Sequence, residues 1–192
     1  KTLEVASEKG VLIGAHPGLE ADGGRGNALP DANGFRRIVE SQLMNFISIA
    51  DSCETWVSYV KLHGSLYHAI EKRDDYAEIY LELLQSIGSG FDVISTAGGS
   101  FQAKAKAAGL KVYEEVFADR AYRSDGTLVP RDEAGAVLQP QATIDRFKCW
   151  LEEGLMQTVD GDPVSMYADT ICVHSDSLDP YFMLQQMKYL IG

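Results

Sequence analysis

A chain of 192 residues, 45% hydrophobic and 23% charged, is long enough to bury a core without disulfide or metal staples. Its 28 acidic against 17 basic residues give a formal net charge of -11 at pH 7, which repels nucleic-acid backbones and anionic membranes, so neither is expected as a partner. The three cysteines, Cys53, Cys149 and Cys172, are widely spaced in apolar segments, no run approaches the roughly 18 apolar residues of a membrane span, and the first ten residues lack a signal-peptide core; reduced, buried thiols and a cytoplasmic location are expected.

Lys1 to Gly10 reads as the last turns of a helix closed by glycine, which predicts that the chain opens in mid-fold. Val11-Leu12-Ile13-Gly14-Ala15 is a short apolar run and predicts a strand. Pro17 to Gly34, rich in Gly, Asp, Asn and Pro, predicts a loop. Arg36 to Glu54 carries Val39, Leu43, Phe46, Ile47 and Ala50 on one helical face and leads to a second strand, Trp56-Val57-Ser58-Tyr59-Val60. Tyr76, Ile79, Tyr80, Leu83, Leu84 and Ile87 mark another buried helical stripe before a strand at Phe91-Asp92-Val93-Ile94-Ser95. A short Ala-rich helix, Phe101 to Gly109, precedes the strand Lys111 to Phe117, and Tyr122 to Pro140 predicts a second long loop. Ile144, Phe147, Leu151 and Leu155 share a helical face, Thr170 to Val173 forms the fifth strand, and Asp179-Pro180 caps the last helix. Strands alternating with helices predict an α/β domain with a mainly parallel sheet, open or closed into a barrel.

Ligands of such folds bind beyond the carboxyl ends of the strands. Those ends are polar here: His16-Pro17-Gly18, then Lys61 and His63 to Tyr67, then Thr96 to Ser100, then Asp119-Arg120-Ala121-Tyr122, and finally His174-Ser175-Asp176. A single histidine after a strand is most often held by a backbone carbonyl. Recurrence of His16, His63 and His174 at equivalent places, three of the chain's four histidines, points to a shared role instead. With Asp119 and Asp176 they suit either a divalent metal or proton transfer, and residue types alone leave both open. Lys61 and Arg120 supply positive charge for a carboxylate or oxyanion, or form structural ion pairs. Gly98-Gly99-Ser100 before a helix offers backbone N–H groups to an anion, although without a G-K-[ST] ending a tight turn is the simpler reading. No G-x-S-x-G elbow frames Ser65 or Ser175, which argues against a serine hydrolase.

Several longer strings carry a resemblance: Ile13 to Gly18, Val60 to Tyr67, Val116-Phe117-Ala118-Asp119-Arg120-Ala121-Tyr122 running through Asp125-Gly126-Thr127-Leu128-Val129-Pro130-Arg131 to Val137, and Cys172 to Asp176. Together they resemble the LamB/YcsF family across nearly the whole chain. The resemblance implies a (β/α) barrel of the seven-stranded glycoside hydrolase/deacetylase type. The family's D-x-N-x-D-x-G-E strand and A-N-x-A-C-G-F-H-A-G-D segment are not found, so residues 1–192 are expected to form the C-terminal three-quarters of one barrel domain, incomplete at the N-terminus. Gly34-Phe35-Arg36-Arg37 lacks one glycine of the family pattern, Leu62 stands where proline is usual, and Ser175 where glycine is usual.

The activity implied is that of the A component of an ATP-dependent 5-oxoprolinase, opening the lactam of 5-oxo-L-proline to L-glutamate with ATP and Mg²⁺ and with partner subunits B and C. In that reading His63, Asp119, Arg120, His174 and Asp176 are catalytic, and His16, Lys61, Tyr67 and Arg131 bind substrate. A bound divalent metal, if present, falls to His16, His63 and His174. The alternatives are a metal-dependent carbohydrate deacetylase or amidohydrolase working without ATP, and a non-catalytic binding subunit.

Overall fold

The structure is a computed structural model that describes residues 1–26, 28–88 and 90–192. It divides into two compact units, residues 1–113 and 114–192.

In the first unit, helix α1 (Thr2–Glu8) ends as the sequence predicts. Gly10 takes φ +65°, its N–H reaches Ser7 O, and Val11 N–H reaches Ala6 O, the paired bonds of a Schellman stop. Strand β1 (Gly14–Ala15) is shorter than expected, because Val11 and Leu12 are exposed and lie outside the ladder, while Ile13 is buried. It pairs in parallel with β2 (Tyr59–Val60), which pairs in parallel with β3 (Asp92–Thr96). The β1–β2 ladder continues past both strands, from Ser58 N–H to Ile13 O, Lys61 N–H to Ala15 O and His63 N–H to Pro17 O. Gly14 makes this pairing sterically workable, since a Cβ there would lie 2.1 Å from the Tyr59 ring.

A 3-10 turn η1 (Ala21–Gly24) and helix α2 (Ala32–Ser52) follow. The helix begins inside the predicted loop because Asp31 Oδ1 accepts from Gly34 N–H at 2.6 Å, an N-cap that the Gly- and Asn-rich composition masked. Its end reuses the Schellman pattern with Glu54, not glycine, in the left-handed region at φ +53°. α2 buries Phe35, Val39, Leu43 and Ala50 against α4 (Asp74–Ile87), whose Tyr76, Tyr80, Leu83 and Leu84 face it as the stripe predicted. Phe35 and Tyr76 stack with centroids 4.1 Å apart, and Tyr76 donates to Pro30 O at 2.5 Å. The short helix α3 (Gly64–Ala69), which no periodicity announced, and α5 (Ser100–Ala107) complete the unit.

Strand β4 (Val112–Phe117) carries the chain into the second unit, where it pairs in parallel with β7 (Thr170–Cys172), from Glu115 opposite Thr170 to Phe117 opposite Cys172. Helices α6 (Pro140–Glu153) and α7 (Pro180–Ile191) pack together over Ala118, Ile144, Phe147, Met183 and Met187. α6 is rotated from the expected stripe: Leu151 is exposed and Arg146 points inward, 6% exposed. The Arg146 guanidinium is satisfied by the carbonyls of Phe117 and Ala118 and lies near the Tyr122 ring. An arginine is invisible to a hydrophobic periodicity, which explains the misplaced face. A two-stranded antiparallel ribbon, β5 (Leu155–Met156) with β6 (Val164–Ser165), is likewise unannounced by the sequence. All three cysteines are free and half-buried, less enclosed than expected.

Candidate functional site

Polar side chains gather after strands in both units. After β1 and β2, the ladder described above runs on past His16 and as far as His63, and their rings meet edge to face at 4.7 Å. His16 Nδ1 lies 2.6 Å from Lys61 O, His16 Nε2 lies 2.9 Å from His63 Nδ1, and His63 Nε2 lies 2.8 Å from Gly23 O. The two ends of this chain face carbonyls, which only accept, so each end calls for a ring N–H. The glycine-rich loop wraps His63 closely: a Cβ on Gly24 would stand 2.3 Å from its ring, and one on Gly18 2.8 Å from its Cβ. Gln42 of α2, a residue with no motif to mark it, clamps Gly18 by accepting from its N–H at 3.0 Å and donating to its carbonyl at 2.8 Å. Lys61 Nζ sits 5.6 Å from the centroid of Tyr67, whose own side chain is buried at 3% exposure.

After β4 and β7, Asp119 is completely buried. Its carboxylate receives His174 Nδ1–H at 2.9 and 3.1 Å, the His174 backbone N–H at 3.1 Å, and the hydroxyl of Ser177. Burial alone would raise its pKa, but the hydrogen bonds from His174 and Ser177 outweigh burial and hold the carboxyl below its ordinary range. Asp119 is therefore an anion, Nδ1 of His174 carries the hydrogen, and Nε2 is left as the ring's proton-accepting atom. The imidazole stacks on Phe117 at 5.6 Å with planes 12° apart and keeps 19% of its side chain exposed. Because Ser177 donates to the aspartate and not to the histidine, the order differs from a Ser-His-Asp triad and leaves no activated serine nucleophile here.

Arg120 and Arg131 lie on the loop that follows β4, and Asp176 on the turn that follows β7. Arg120 is 7% exposed and donates from Nε to Ala136 O at 3.2 Å and from Nη2 to Val129 O at 2.7 Å, bracing the loop that follows β4. Arg131, at the far side of that loop, pairs with Asp176 at 2.8 Å. Tyr122 accepts from Phe117 N–H at 2.8 Å, and burial pushes its hydroxyl pKa well up. Burial likewise lowers the Arg146 guanidinium to about 10.

Among the described residues no group of three or more His, Cys, Asp or Glu side chains is placed to hold a metal ion. The rings of His16 and His63 are already committed to each other and to carbonyls, and His174 Nδ1 to Asp119. The anion site offered by Gly98-Gly99-Ser100 is filled by the protein itself: Glu71 Oε2 accepts from Phe101 N–H at 2.9 Å and from Ser100 Oγ at 3.2 Å. Ser177 and Glu71 escape sequence reasoning because each acts on a partner distant in the chain, 58 and 30 residues away.

The LamB/YcsF family profile matches residues 1–191. The A component of 5-oxoprolinase from Corynebacterium jeikeium is 37% identical over 179 residues, an overlap of 92% of this chain and 69% of that protein. Its counterpart from Mycobacterium marinum is 39% identical over 180 residues, covering 92% and 71%, and that from Pyrococcus horikoshii 34% over 190 residues, again 92% and 71%. Among solved structures, the lactam utilization protein from Thermus thermophilus superposes with a TM-score of 0.85 at 26% identity, covering 98% of this chain and 76% of that one. A family match from end to end, with the buried Asp119 and the His174 it orients lying on the strings that first suggested it, has one meaning: the chain belongs to the LamB/YcsF family.

Proposed function

We infer that this chain is the A component of a 5-oxoprolinase, a hydrolase that opens the lactam of 5-oxo-L-proline to give L-glutamate. The observation that carries this reading is the match along almost the whole chain to relatives bearing that name at 34–39% identity. The chemistry asks for a group that takes a proton from water attacking the lactam carbonyl and returns it to the ring nitrogen as the C–N bond breaks. His174 suits both steps through Nε2, and the Asp119 anion stabilises the imidazolium between them. Asp176 and Arg131 hold each other beside the same turn and suit the binding of a polar substrate.

We further propose subunits B and C as the partners, a cytoplasmic location, and, for the family domain as a whole, the seven-stranded (β/α) barrel. Parallel strands alternating with helices support the last of these. Free cysteines, and the absence among the described residues of a helix long and apolar enough to cross a membrane, accord with the location. ATP with Mg²⁺ is proposed as the energy source, since a resonance-stabilised lactam needs activation.

The test is glutamate release from 5-oxo-L-proline with ATP and Mg²⁺ by the assembled subunits, with His174→Ala alongside. A fall in kcat of about 10²- to 10⁴-fold, the usual worth of general acid–base catalysis, is expected. Release unchanged by the substitution would remove His174 from the chemistry. No release by the wild-type assembly would overturn the reading itself.

A further inference from the structure

We propose that Ser177 is a positioning residue that fixes the orientation of His174 by holding the Asp119 carboxylate in place. This rests on the reading that His174 transfers protons in lactam hydrolysis, and its geometry stands independently of it. The His174 Nδ1–H is shared between the two oxygens of Asp119, at 2.9 and 3.1 Å. Such a shared bond persists only if the carboxylate cannot turn about its own axis, because a rotation would favour one oxygen and swing the ring. Oδ1 has no further donor among the described residues, whereas Oδ2 also receives the His174 backbone N–H and the Ser177 hydroxyl. The backbone bond comes from the same residue as the ring and moves with it. Among the described residues, Ser177 supplies the one hydrogen bond to the Asp119 carboxylate from a residue other than His174.

The turn that follows β7 makes this possible. Ser177 N–H donates back to His174 O at 3.3 Å, so the chain reverses within three residues and sets the hydroxyl and the imidazole on one carboxylate. Phe117 stacks on the imidazole and restrains its plane but not its rotation within that plane. The hydroxyl proton of Ser177 is spent on Asp119, so it touches no reacting atom. Its whole effect passes through the carboxylate to Nε2, whose direction decides where a proton is taken from.

Ser177→Ala and Ser177→Thr are to be compared with wild type in two measurements. In the assembled 5-oxoprolinase, Ser177→Ala is expected to lower kcat about tenfold at unchanged KM, and Ser177→Thr, which keeps the hydroxyl, to restore most of it. In the ¹⁵N-histidine-labelled chain, the Nδ1–H of His174 is expected to exchange slowly with water in wild type and Ser177→Thr, and severalfold faster in Ser177→Ala, where the carboxylate that holds it is free to turn. Unchanged exchange in Ser177→Ala, or a loss that appears in KM alone, overturns the proposal. If the assembly releases no glutamate, the functional reading fails and the exchange of the His174 Nδ1–H decides the role of Ser177 by itself.

Discussion

Asp119 is a buried carboxylate through which acid acts on stability. Its folded-state pKa is lowered, so the carboxylate stabilises the fold fully above the unfolded value of about 3.9 and ceases to do so as pH falls through the lower folded value. Asp119→Asn replaces an ionised acceptor of three donors by an amide that can accept on one side only, and the loss is expected to be about 1–3 kcal/mol at pH 7. Urea unfolding at pH 7, 5, 4 and 3 checks both size and sign: the gap between wild type and variant should hold steady down to about pH 5 and narrow below about pH 4. A gap of constant width would mean that the charge contributes nothing. The sequence placed Asp119 and His174 after successive strands, and they do meet. Ser177 could not be read in the same way, because a serine three residues past a histidine is ordinary until the turn that folds it back is known.

At the level of elements, the stripe of α4 and the glycine stop of α1 were legible because each is local: a periodicity of 3.6 and a positive φ leave marks within a few residues. The start of α5 was read to within one residue, but its cap was not, since that comes from Glu71, on the far side of α4 in the chain. Glu71 meets the exposed N–H of Phe101 and brings a negative charge to the positive end of the helix, so two effects add. Glu71→Ala is expected to cost about 0.5–2 kcal/mol, the range for losing an N-cap acceptor. Glu71→Gln, which keeps an oxygen for Phe101 but gives up the charge, should fall between, with about 0.3–1 kcal/mol assigned to the helix dipole. Urea midpoints in the order wild type, Gln, Ala would support this division. Equal midpoints for Glu and Ala would mean that water replaces the cap without cost and that the N-terminus of α5 is open to an anion after all.

On the scale of the whole molecule the α/β class and the parallel pairing followed from the alternation of elements, whereas the two compact units had no mark in the sequence, where no linker composition separates residues 113 and 114. The net charge of -11 is the property of the whole chain with the most direct physical consequence. Exposed ion pairs such as Arg73–Asp75 and Arg123–Glu133 attract, but each contributes at most about 1 kcal/mol and is screened by salt, as is the repulsion among the surplus carboxylates. The two effects oppose each other, and the excess of eleven negative charges makes repulsion the larger at pH 7. Raising NaCl from about 0.02 to 0.2 M, which shortens the Debye length from about 20 to about 7 Å, should then raise the thermal midpoint at pH 7 by a few degrees, where about 1 kcal/mol corresponds to 2–4 °C. Near the isoelectric point of about 4.7 the surplus vanishes, only the attractive pairs remain to be screened, and the same salt step should leave the midpoint unchanged or lower it. A midpoint that falls with salt at pH 7 would mean that the ion pairs outweigh the surplus charge, and that its acidic residues are arranged to be paired rather than merely numerous.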